Sequence, residues 1–158
     1  MKRGTTIFLK GAVIAIGAIV FVLCVVWLPT MAKHSADLFP EFAYLKWPIL
    51  IGLYLTAVPF NLALYQAFKL LKCIEKKHAF SGKAIVALHR IKLYALLITA
   101  IYVAGIVFLL IQNALHPGIA MVGIIISFAS VTISIFAAVL QELLRNALEL
   151  KSENDLTV

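Results

Sequence analysis

The chain has 158 residues, 63% of them hydrophobic and 13% charged, with a net charge of +7. A soluble domain runs at roughly 45–50% apolar and about a quarter charged. The composition therefore excludes an ordinary soluble enzyme, a disordered chain and a secreted disulfide scaffold, and leaves a multi-span membrane protein.

Crossing the hydrocarbon takes about 20 mainly apolar residues, and four segments qualify. With no water to satisfy the backbone, each must be a helix. The first, residues 7–28, follows Lys2 and Arg3 and is interrupted only by Lys10. A basic start and the small residues around Thr30-Met31-Ala32 resemble a cleaved signal. However, residues 11–28 are apolar without a break, longer than the roughly 7–15 of such a signal. The segment reads as a retained helix.

Pro29 is expected to end that helix. The connection over 29–46 carries Lys33, Lys46, Asp37 and Glu41, which balance, and Trp27, Tyr44 and Trp47 form an aromatic belt. Pro48 suits the first turn of the second span, residues 47–71, whose only charge is Lys69. Inside it, Pro59 removes a helix hydrogen bond and predicts a kink. Asn61 lies two residues on, and Thr56 one turn earlier. Two readings of the kink stay open: polar groups satisfied locally, or a polar site for a substrate or ion.

The helical period continues through Leu70, Leu71 and Ile74 among Lys69, Lys72, Lys76 and Lys77, and breaks near His78. Phe80-Ser81 then opens a new helix, with Ser81 placed to cap it. Ile85, Leu88 and Ile91 form an apolar stripe, while Lys83, Arg90 and Lys92 point elsewhere. The third span, 93–115, holds no charge, and a tight turn near 113–118 makes it an antiparallel neighbour of the fourth, 117–144. In span four Gly123, Ser127, Ser130 and Ser134 are spaced four, three and four, on one face. Such small residues suit close helix packing, with Gly17 and Ala18 of span one and Ala100 and Ala104 of span three as facing surfaces. A polar permeation path is the sharper reading of the serines. Span four overruns the membrane: Leu140, Leu143, Leu144, Ala147 and Leu148 keep the period beside Glu142, Arg145 and Glu149, and residues 152–158 read as a frayed tail.

Twelve Lys and Arg fall at the N-terminus, the 72–92 loop with its Lys69 flank, and the 145–158 tail; two, Lys33 and Lys46, fall on the other side. The positive-inside rule then faces both termini and the loop to the cytoplasm. The fold expected is all-α: one integral-membrane four-helix bundle over 1–158, N-in and C-in, in a bacterial cytoplasmic membrane, with cytoplasmic helical extensions. The extensions either pack on one another or present a platform to a partner, through Phe80, Ser81, Ile85, Leu88, Ile91, Leu144 and Leu148. Lys69, Lys72, Lys76, Lys77, Lys83, Arg90 and Lys92 sit where anionic inner-leaflet headgroups attract them. No nucleic-acid motif accompanies the charge.

No ionisable residue falls in the middle of a span, so the buried carboxylate of a proton-coupled exporter is not found. Cys24 and Cys73 form no CxxC and read as unpaired thiols; with His78 and His89, Cys73 repeats no metal-ligand spacing. No HExxH, GxSxG or glycine-rich phosphate loop occurs. The chain is expected to be no enzyme, with no cofactor and no metal. Asn61, Ser127, Ser130 and Ser134 are its intramembrane polar groups. Small-residue faces also suit a homodimer.

The stretch AFSGKAIVALHRIKLYALL resembles the YoaS-like family, small bacterial four-span membrane proteins of unknown function. There a basic helix end is followed by a Phe-Ser pair and a Leu-x-x-Ile leading into span three; here these are Phe80, Ser81, Leu88 and Ile91. The chain departs from the family at Lys83 and Ala84, where members often carry Glu-Asn. Genes of the family commonly sit beside a small helix-turn-helix regulator, so the resemblance implies a membrane partner for a cytoplasmic transcription regulator. A small transporter, or an immunity or export component with a path near the span-two kink, is the alternative.

Overall fold

The computed structural model describes residues 3–76 and 81–156. Four helices in it are long and apolar enough to span a membrane, and no strand occurs among the described residues. Helix α1 (Arg3–Val22) passes through a five-residue π turn (Leu23–Trp27) into α2 (Leu28–Leu38). A 3-10 stretch (Pro40–Leu45) leads into α3 (Lys46–Glu75). Helices α4 (Gly82–Ile111) and α5 (Pro117–Leu156) follow.

Pro29 does not end the first helix. It sits in the first turn of α2, inside a helix that runs on from the preceding residues, so its missing N–H leaves a carbonyl of the π turn without its helical donor. The π turn just before it makes the passage possible. Leu28 N–H reaches five residues back to the Leu23 carbonyl, widening the helix where the proline ring would strike the preceding turn. Thr30 Oγ1 donates to the Val26 carbonyl at 2.8 Å. The helix stops at Phe39 (φ −125°, ψ 74°), because the residue before Pro40 is held out of helical geometry. Most of the connection expected over 29–46 is thus helical.

Helix α3 carries Pro48 in its first turn and Pro59, buried, in its middle. Ser81 caps α4 as its position predicts, with extended backbone and Oγ accepting from Ala84 N–H at 3.4 Å. The far end of α4 closes on Asn113, at φ 56°. Asn113 N–H bonds the Leu110 carbonyl and Ala114 N–H the Leu109 carbonyl, the pairing that consumes the last free carbonyls of a helix. Pro117 then opens α5, and the His116 carbonyl and Nδ1 accept from Ala120 N–H and Gly118 N–H. Helix α5 continues to Leu156. The tail from 152 is therefore helical as far as it is described, since neither glycine nor proline interrupts 124–156.

Sequence neighbours pack together: α3 on α4, α4 on α5, and α1 along α3. The α4–α5 seam follows from spacing. Gly123, Ser127, Ser130, Ser134, Ala137 and Gln141 alternate steps of four and three, as do Ala84, Leu88, Ile91, Ala95 and Ile98 opposite them. Nearly all are buried. A 3.5-residue repeat of small side chains lets two helices approach over their whole length. Two contacts set the antiparallel register. Ser134 Oγ donates to the Lys92 carbonyl at 3.4 Å, and Gly123 leaves room for Ile106. Ala100 and Ala104 are exposed, so the small surface of α4 is Ala84, Ala87 and Ala95 instead. Those two alanines fall between the seam positions of the helix. Gly17 does meet α3, its Cβ direction ending 3.6 Å from Leu64 Cδ1.

Candidate functional site at the basic end of the helices

The end of the molecule where α3 stops and α4 starts gathers the basic residues. Lys69, Lys72, Lys76, Lys83 and Arg90 are exposed and Lys92 is half-buried; Lys77 lies outside the described residues. Lys69 stands over the Tyr65 ring at 4.9 Å, and Phe68 has Lys72 at 5.0 Å and Lys10 at 5.6 Å. Lys10, the one charge interrupting the first apolar run, forms an ion pair with Glu75. That pair ties the start of α1 to the end of α3.

The apolar stripe divides on folding. Leu88 is 6% exposed and belongs to the seam, while Ile85, Ile91, Leu144 and Leu148 are half-buried. Ser81 is engaged as the α4 cap, and Phe80 lies outside the described residues. Exposed apolar residues at this end include Val86 on α4 and Leu140, Leu143, Leu150 and Leu156 on α5. With Ser134 opposite Lys92, stepping ten residues back to Gly82 carries α5 ten residues on, to Leu144. Residues 145–156 thus run past the level at which α4 begins, by about 18 Å at 1.5 Å per residue.

The intramembrane polar groups do not converge. Asn61 is exposed on α3, and its Nδ2 donates to the Ala57 carbonyl at 2.8 Å rather than to the Leu55 carbonyl that Pro59 leaves free. Thr56 Oγ1 donates to the Leu53 carbonyl. Ser130 and Ser134 are buried in the α4–α5 seam, and Ser127 Oγ is buried there without a partner. Asn61 and Thr56 thus each bond a carbonyl of their own helix, and Ser130 and Ser134 lie against α4. Among the described residues no group of three His, Cys, Asp or Glu is placed to hold a metal ion, and Cys24 and Cys73 are free thiols.

Sequence reasoning missed four features. Gln141, 8% exposed, continues the serine stripe at the same spacing and was findable from Ser134. Gln66 is buried on α3, and the pattern offered no sign of it. Glu75 was passed over because positive charge alone orients the spans. The fourth is a latch between helices. Leu28 N–H is committed to Leu23 and Pro29 has no N–H. The Cys24 carbonyl is left without a helical donor, and the Tyr54 hydroxyl of α3 fills the gap at 2.7 Å.

Four membrane-length helices and this polar end define a multi-pass helical membrane protein. The family described as "Protein of unknown function (DUF2975)" matches residues 30–158, and the chain belongs to it. It is 50% identical to the "Uncharacterized membrane protein YoaS" of Bacillus subtilis (strain 168), with 100% of both chains covered. No solved structure matches.

Proposed function

We propose that the chain is a non-enzymatic interaction protein of the bacterial cytoplasmic membrane, and that the projecting end of α5 docks a soluble cytoplasmic partner. The single observation that carries this reading is the length of α5. Its 40 residues extend about 60 Å, against about 30 Å of hydrocarbon. The excess carries exposed Leu143, Leu150 and Leu156 among Glu142, Arg145, Glu149 and Lys151. Ile85, Leu144 and Leu148 flank it half-buried, and the basic end holds the platform against anionic headgroups. The partner that the family resemblance implies is a helix-turn-helix transcription regulator. Ala100 and Ala104, the small residues that α4 leaves exposed, would also serve a homodimer.

The test uses the full chain in nanodiscs and the regulator encoded beside its gene. Leu143→Glu with Leu150→Glu should abolish capture of that regulator while leaving insertion and helix content unchanged. Leu88→Glu is unsuitable, since Leu88 is part of the seam. Capture unaffected by the paired substitution, or surface labelling that puts Lys69 and Lys83 outside the cell, overturns the proposal.

A further inference from the structure

The opposite end of the molecule holds a second feature, independent of the docking reading. Two adjoining hollows, of about 620 and 530 Å³, share Ile49, Leu53, Leu109, His116 and Ile119 and so form one groove between α3, α4 and α5, with α2 lining the smaller hollow. This size and apolar lining are those of a binding cleft. Glycines shape it. Gly52 of α3 and Gly105 of α4 both line the groove, and a Cβ added at either would meet nothing within 4 Å. In most membrane helices a glycine lets a neighbouring backbone approach. Here neither does so, although each weakens its helix relative to alanine. Their effect is to leave space.

We propose that this groove holds one acyl chain of a bilayer phospholipid with an anionic headgroup. The length fits. The groove runs along α3 from Lys46 to Thr56, ten residues or about 15 Å, which is one leaflet of a hydrocarbon core of about 30 Å. The chemistry of the mouth fits as well. Lys46 lines it, and no Asp or Glu lines either hollow. His116 Nδ1 accepts from Gly118 N–H at 3.0 Å, so the neutral ring carries its proton on Nε2, a donor for a phosphate oxygen. A cation at headgroup level above an apolar slot one leaflet deep selects an anionic amphiphile over a zwitterionic one.

The full chain in detergent is mixed with vesicles of phosphatidylglycerol or of phosphatidylcholine, and the lipid it retains is counted by native mass spectrometry. The wild type should keep one phosphatidylglycerol per chain, and several-fold less phosphatidylcholine. Gly52→Leu with Gly105→Leu should plug the groove and remove the retained lipid, at unchanged helix content. Should that pair fail to fold, Gly52→Ala and Gly105→Ala raise helix propensity and should each lower retention in part. Lys46→Gln should keep a lipid but erase the preference between the two headgroups. Equal retention by wild type and plugged variants overturns the proposal. So does a wild type that keeps no phospholipid, or one that keeps a free fatty acid or a peptide in its place.

Discussion

Tyr54→Phe removes one oxygen and leaves the ring in place, and so isolates the hydrogen bond to the Cys24 carbonyl. That carbonyl has no alternative within its helix, since Leu28 N–H serves Leu23 and Pro29 offers none. Leaving a buried carbonyl unpaired costs about 1–3 kcal/mol. Measured side-chain hydrogen bonds between membrane helices average about 0.6 and reach about 1.7 kcal/mol. Tyr54 is half-buried, and the 2.7 Å distance is the usual one for a hydroxyl donor. About 1 kcal/mol is therefore expected, roughly a fivefold change in the unfolding equilibrium. The origin of the cost is separable. Pro29→Ala restores an N–H at the position that orphans the carbonyl, so Tyr54→Phe should cost little in that background. A double-mutant cycle, read by reversible unfolding in bicelles, should give a coupling near 1 kcal/mol. Equal costs of Tyr54→Phe in both backgrounds would refute the account, because the hydroxyl would then be worth the same whether or not the helix supplies its own donor.

Two further pairs of substitutions probe the packing and the α4–α5 turn. A Cβ at Gly123 would lie 2.8 Å from Ile106 Cδ1, so Gly123→Leu should lower the thermal midpoint in detergent by an overpacking cost of about 1–3 kcal/mol, and Ile106→Ala should recover much of it; failure of that rescue would remove Ile106 as the cause. Asn113 stands at φ 56°, where a side-chain-bearing residue is strained by about 1–2 kcal/mol. Asn113→Gly should hold or raise stability and Asn113→Ala lower it, and chemical denaturation that ranks the two the other way would contradict the helix-end geometry.

Much of this architecture is legible in the order of side chains, because in lipid the decisive constraints are local. An apolar run with no charge must satisfy its own backbone, so the number of membrane-length helices follows from 7–28, 47–71, 93–115 and 117–144. The stripe at Gly123, Ser127, Ser130 and Ser134 announces its face through spacing alone, as Ser81 announces a helix start. Pro29 misled for the same reason that makes prolines informative. Its missing N–H is read as a stop, yet a π turn one residue earlier absorbs the ring, and no residue pattern in 23–27 signals that turn.

Apart from α4 and α5, which a tight turn joins, which helix meets which lay beyond the sequence. Between membrane helices, lipid tails are as apolar as leucine, so hydropathy does not separate a face that meets protein from one that meets lipid. Shape and a few polar atoms decide instead. Only the assembled helices bring Lys10 to Glu75, across 65 residues, and Tyr54 to Cys24, across 30. Only they turn Leu88 inward and leave Leu143 and Leu150 out, and only they reveal that Gly52 and Gly105 border a hollow rather than a helix. The sequence by itself determined how many helices span and where their charges gather, since each segment answers to its own solvent. The tertiary structure decided the latch, the ion pair and the groove, since each needs two segments whose meeting no local pattern encodes.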